Sequence, residues 1–185
     1  MKAVVVTKEG VSVKDVETPT PKHNEILVKV YGCGLNRADL VVADGGAHGA
    51  SGGPGTIVGM EFSGEVVQFG NDVKGYSVGD RVMCSGSSAW AEYAVADHGR
   101  VIKIPNNNMD YLKASTYPIA LATMHNAILT VGNFTKGQSI LIQGASSGVG
   151  LMGLQIAKHL EAKIVIGTST KVDKFEKLKS FGADL

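Results

Sequence analysis

From Lys2 to Ile104, apolar residues fall into short runs, several of which alternate with polar ones at the period of a strand with one buried face. KAVVV is followed by VSVKDV, then by EILVKVYG after the Pro19–Pro21 turn. GEVVQFG, DRVMC, AEYAV and RVIKI come next, divided by NDVKGYSVGD and a Gly/Ser stretch at Ser85–Ser88. Many short strands with frequent turn signals predict a barrel or sandwich rather than a parallel sheet. NRADLVVADG breaks the pattern and predicts a short helix with Asn36 as its N-cap. The following GGAHGASGGPGT is polar and glycine-rich, and of two readings, a mobile lid or a surface loop, the sequence favours the surface loop.

After Pro105 the rhythm changes. Leu112–Val131 carries apolar residues at helical spacing, broken by Pro118 and ended by Gly132. SILIQG then reads as a buried strand, GVGLMGLQIAKHL as an amphipathic helix, and AKIVIGT as a second buried strand. KVDKFEKLKSFGADL predicts a helix closing on Gly182. Strand, helix, strand, helix is a βαβ unit, hence a parallel sheet with covered faces. Two domains are therefore expected, over residues 1–120 and 121–185. Two strands leave the edges of such a sheet unpaired. The natural chain is expected to continue, and the isolated 1–185 chain to be catalytically silent and prone to associate.

Composition narrows the partners. Eighteen Lys and Arg against 17 Asp and Glu leave a formal charge of +1, which makes no electrostatic case for nucleic acid or an anionic membrane. The initial apolar run is too short for a signal peptide, and Tyr117–Val131 is too short to span a bilayer, so a cytoplasmic protein is expected. Cys33 and Cys84, far apart, read as free thiols rather than a disulfide. Glycine is abundant, at 24 residues, which suits tight turns and close approach to a ligand.

The strongest motif is SILIQGASSGVGLMGLQIAKHL, where small residues join the end of an apolar strand to the start of a helix. There a pyrophosphate can approach backbone N–H groups at the positive end of the helix dipole. The strict G-x-G-x-x-G spacing is replaced by Ala145, Ser147 and Gly150. The strand–loop–helix–strand context still predicts dinucleotide binding, through Gly144, Ala145, Ser146, Ser147, Gly148 and Val149. An NAD site normally has Asp or Glu at the end of the second strand. This chain has Thr168 and Ser169 there, then Lys171 and Lys174, groups that suit a 2′-phosphate and favour NADPH.

ILVKVYGCGLNRADL, GTIVGMEFSGEVVQFG, VKGYSVGDRVM and AEYAV, with the later IPNNN, ALATMHNAIL, GASSGVG and FGAD, resemble the medium-chain dehydrogenases/reductases in order and over essentially the whole chain. The resemblance implies a GroES-like β-barrel domain followed by a Rossmann domain, incomplete in this chain, with the active site in the cleft between them. Zinc-containing members carry a cysteine at the position of Asn36 and a G-H-E motif at Gly59-Met60-Glu61. A catalytic zinc needs three strong protein ligands, so no metal is expected. G-L-N-R-A-D and A-S-S-G-V-G are similar to the zinc-free quinone oxidoreductase branch.

The activity this implies is hydride transfer from NADPH to a quinone or an α,β-unsaturated carbonyl, in a protein that is a homodimer at full length. Such acceptors delocalise the incoming charge, so hydrogen-bond donors can take the place of a Lewis acid. By the same resemblance, Asn36 is the catalytic residue beside the nicotinamide and Thr123 contacts the cofactor. His125 reads as packed. Related reductases often have a tyrosine in the loop after the short helix. Near Ala47 there is none, and His48 is the only titratable side chain nearby. Its glycine neighbours give it no fixed position, so it is expected to be dispensable, and no aligned proton donor remains. A short-chain dehydrogenase is excluded, because Y-x-x-x-K occurs nowhere. The alternative is a non-enzymatic NADPH-binding relative, of vesicle-amine-transport-like or crystallin-like type.

Overall fold

The predicted strands form because pairing with neighbours satisfies their backbone N–H and C=O groups. The computed structural model describes residues 1–49, 51–105 and 108–185; Ala50 of the glycine-rich segment and Asn106 and Asn107 of IPNNN lie outside the described residues. The chain divides into two compact units, Met1–Pro118 and Ile119–Leu185.

In the first unit, β1 (Lys2–Thr7) and β2 (Gly10–Asp15) make a hairpin. A curled antiparallel sheet, a half-barrel, is built from β3 (Glu25–Cys33), β6 (Glu61–Phe69), β7 (Arg81–Ser85), β8 (Tyr93–Asp97) and β9 (Val101–Lys103), in the order β8-β3-β6-β7-β9. Ile26, Val28, Phe62, Val66 and Val82 fill its core. The helix α1 (Arg37–Ala43) turns Val42 onto Val6 and Val58 in a smaller cluster. Within the glycine-rich segment, β4 (Ala47–His48) and β5 (Ser51–Gly52) pair, with His48 opposite Ser51. The segment lies at the surface, as expected, but with this short pairing inside it; positive φ at Gly45, Gly49 and Gly52 lets the chain turn there without apolar periodicity. The short α2 (Tyr111–Ala114) is fastened to the sheet where Ser63 Oγ donates to the Tyr111 carbonyl and Tyr111 Oη to Glu65.

The second unit holds α3 (Pro118–His125), which begins at the last residue of the first. It widens into one π-helical segment, Asn126–Val131, before Gly132. β10 (Ser139–Ile142) and β11 (Ile164–Gly167) are parallel neighbours joined through α4 (Gly148–His159); α5 (Phe175–Ser180) follows a 3₁₀ turn at Val172–Lys174. Ile142, Leu154, Ala157, Val165 and Leu178 form its core. β10 is less buried than its sequence suggests: it pairs only with β11 among the described residues, and Leu141 is exposed. No helix among the described residues is long and apolar enough to cross a membrane.

Candidate functional site

Asn36 occupies the N-cap of α1 with extended backbone, φ −114° and ψ 152°. Three residues on, Asp39 Oδ2 accepts the Asn36 backbone N–H at 2.7 Å, which ties the helix start closed. The Asn36 side chain turns elsewhere: its Nδ2 donates to Glu61 Oε1 at 2.8 Å. Residues 25 positions apart thus meet at the end of β6, and both acidic partners of Asn36 are buried. The approach depends on Gly34, where a Cβ would stand 2.3 Å from Glu61 Oε1. Two residues before Glu61, Gly59 has a φ of +106° and a closeness to Trp90 that admit no side chain. Burial, and then the charge of Asp39, push the Cys33 thiol up, so Cys33 is no ready thiolate.

An amide nitrogen has no lone pair to give a metal. Asn36 instead offers two N–H donors, one taken by Glu61 and one left to meet a ligand oxygen.

His48 is not the wandering side chain its glycine neighbours suggest. The β4–β5 pairing places it on the wall of the small cavity that Asp39 and Met60 also line. His125, expected to be packed, is exposed. Thr123 is exposed on α3.

The second candidate region is the β10–α4 junction. Ser147 caps α4, its Oγ accepting the Gly150 N–H at 3.0 Å and donating to the Gly144 carbonyl at 2.9 Å. Gly150 must be small: a Cβ there would lie 2.6 Å from Ala145 Cα and the Gly144 oxygen. At Gly144 and Gly148 a Cβ would meet nothing within 4 Å. The loop is exposed at Gly144, Ser146, Ser147 and Gly148. The N–H groups of Gly148 and Val149 belong to the first helical turn, which supplies no acceptor for them. Open space, first-turn donors and the positive helix end fit a pyrophosphate.

Two of the expected contacts change their role. Ala145 is fully buried and its N–H is donated to the Thr168 carbonyl at 2.8 Å, so it shapes the loop rather than meeting phosphate. Thr168 Oγ1 likewise accepts the Gly144 N–H at 3.2 Å and braces the turn from β11. Ser169, by contrast, brings its hydroxyl to that of Ser146 at 3.2 Å. Lys171 is exposed; among the described residues Lys174 makes a long ion pair, 3.8 Å, with the exposed Asp173.

Residues 22–106 match the family model described as the alcohol dehydrogenase GroES-like domain. The human synaptic vesicle membrane protein VAT-1 homolog-like is 35% identical over 153 residues, covering 82% of this chain and 36% of that protein. Human quinone oxidoreductase is 32% identical over 157 residues, covering 84% of this chain and 47% of that protein. The chain belongs to the medium-chain dehydrogenase/reductase superfamily. Its relatives there are the VAT-1-like proteins and quinone oxidoreductases, the zinc-free branch. A superfamily structure of a mycobacterial protein complexed with NADPH superposes with a TM-score of 0.83 at 29% identity, covering all of this chain and 57% of that one. The chain thus spans less than half the length of the two human proteins.

Proposed function

We propose that the whole protein transfers hydride from NADPH to a quinone or α,β-unsaturated carbonyl without zinc. The observation that carries this is the Asn36–Glu61 hydrogen bond. Where zinc-containing members carry a cysteine and the histidine of G-H-E, this chain has Asn36 and Met60, and the Asn36 amide, bonded to Glu61, leaves one N–H for an acceptor's oxygen. Bound NADPH supplies the hydride. The chain's own residues would hold the phosphates, through the Gly148 and Val149 N–H groups and the Ser146 hydroxyl, while Ser147, its hydroxyl committed to Gly144 and Gly150, shapes the turn. Ser169, Lys171 and Lys174 provide hydroxyl and ammonium groups for a 2′-phosphate, and Thr123 offers a further polar contact. One directed donor on a developing oxyanion is worth about 10²-fold in rate.

The test is NADPH oxidation by the whole protein with 9,10-phenanthrenequinone, alongside elemental analysis. Turnover after mild chelation, with no stoichiometric zinc, supports the reading; stoichiometric, retained zinc contradicts it. The likeness to a VAT-1-like protein favours one second reading, a cofactor-binding protein that does not turn over. NADPH binding with no oxidation by any quinone or enone would select it.

A further inference from the structure

Hydride transfer also needs a proton, and one buried group beside Asn36 has no task in the account so far. Asp39 is 1% exposed. Its Oδ2 is committed to the Asn36 N–H, but its Oδ1 has no hydrogen-bond partner among the described residues. A buried carboxylate oxygen left alone is costly, and native folds seldom keep one without a reason. Asp39, Val42, His48, Ser51 and Met60 line a cavity of about 50 Å³, room for one water molecule. His48 comes to that wall from β4 and remains exposed on its other side. Burial pushes the Asp39 carboxyl up, while the Asn36 N–H and then the charge of His48 pull it back, so the two side chains sense each other.

We propose that His48 is the proton donor to the acceptor held by Asn36, and that Asp39 is the positioning residue behind it. The proposal rests on the hydride-transfer reading above. The acceptor gains hydride at one atom, and its oxygen or α-carbon gains a proton from the His48 imidazolium. A bond to hydrogen forms there as the ring N–H bond breaks, and the electron pair stays on the ring nitrogen. The neutral imidazole is reprotonated from solvent, on which it opens. Asp39 orients the ring and is neither oxidised nor reduced. The other titratable groups around the site are Glu61 on β6, reached through Asn36, and Cys33 on β3.

The test uses the whole protein with NADPH and the acceptor it turns over faster, 9,10-phenanthrenequinone or 2-cyclohexen-1-one. His48→Gln should lower turnover about 10²-fold, the usual worth of a general acid. In His48→Ala, added imidazole should restore part of the rate. Asp39→Asn keeps an acceptor for the Asn36 N–H but removes the charge; it should cost about tenfold in the wild type and little more in the His48→Gln background, the non-additivity of groups acting as a unit. Without cofactor or acceptor, Asp39→Asn should also shift the ¹⁵N resonances of the His48 ring. Wild-type turnover with an unaffected His48→Gln variant, no imidazole rescue, or additive losses would overturn the pair while leaving hydride transfer intact. A wild-type protein that oxidises no NADPH overturns both.

Discussion

Asp39 and Glu61, the acidic partners of Asn36, are 1% and 4% exposed, whereas Ser146, Ser147 and Gly148 in the phosphate loop all face solvent. The first region is held from behind by a filled β core and fixed in place by side-chain hydrogen bonds. The second is shaped by backbone: Ala145 and Gly144 donate to Thr168, and only the outward groups are left for a ligand. The difference teaches where damage should appear. Changes near Asn36 should reach the fold and the acceptor chemistry together. Changes in the loop should reach cofactor affinity rather than the acceptor chemistry.

The largest effect should come from Phe62→Ala. This side chain is fully buried next to Glu61, and removing it should cost about 3–5 kcal/mol in urea unfolding and take turnover with it. A loss of turnover without a loss of stability would break the comparison. Next is Gly150→Ala. Its Cβ collides with the backbone of Gly144 and Ala145, an overpacking of about 1–3 kcal/mol, so NADPH should bind roughly tenfold to a hundredfold more weakly in calorimetry. Turnover at saturating NADPH should hardly change.

Lys174→Ala should weaken NADPH about tenfold, the worth of one charge-assisted hydrogen bond, and leave NADH unchanged. Equal weakening of both would make the lysine structural.

The smallest effect is a contrast between two carboxylates. The Lys158 ammonium, and then the Val165 N–H, hold Asp184 below the usual carboxylate range. Its contribution is therefore present above that range and lost as pH falls through the lowered value. Asp39 is pushed up by burial, so its sign is opposite: its favourable share exists at low pH and is lost as pH rises through the raised value. Thermal unfolding followed from pH 7 to pH 3 should show Asp184→Asn flattening the acid loss. Asp39→Asn should gain more, relative to wild type, at pH 7 than at pH 3.

Much of this was legible in the sequence because it depends on periodicity and local chemistry. Short apolar runs located β1, β3 and β7, and alternating valines β2; Asn36 before RADLVVA marked the start of α1; small residues between SILI and a helix marked the loop. The pairing of Asn36 with Glu61 was not legible, since it depends on how β6 returns beside α1. Nor was the placing of His48, which glycines with positive φ achieve without any apolar pattern. Ala145 and Thr168 sit in a motif that names the right neighbourhood, but only the backbone bonds show that they support the loop. His125 is exposed because the face it occupies on α3 has no packing partner among the described residues, which helical spacing alone does not reveal.

The division between an acceptor region and a cofactor region is tested most directly with Asn36→Ala in the whole protein, measuring NADPH affinity by calorimetry and quinone turnover together. The account predicts turnover lower by about 10²-fold with the NADPH dissociation constant unchanged. Unchanged turnover, or a loss explained entirely by weaker NADPH binding, would contradict it.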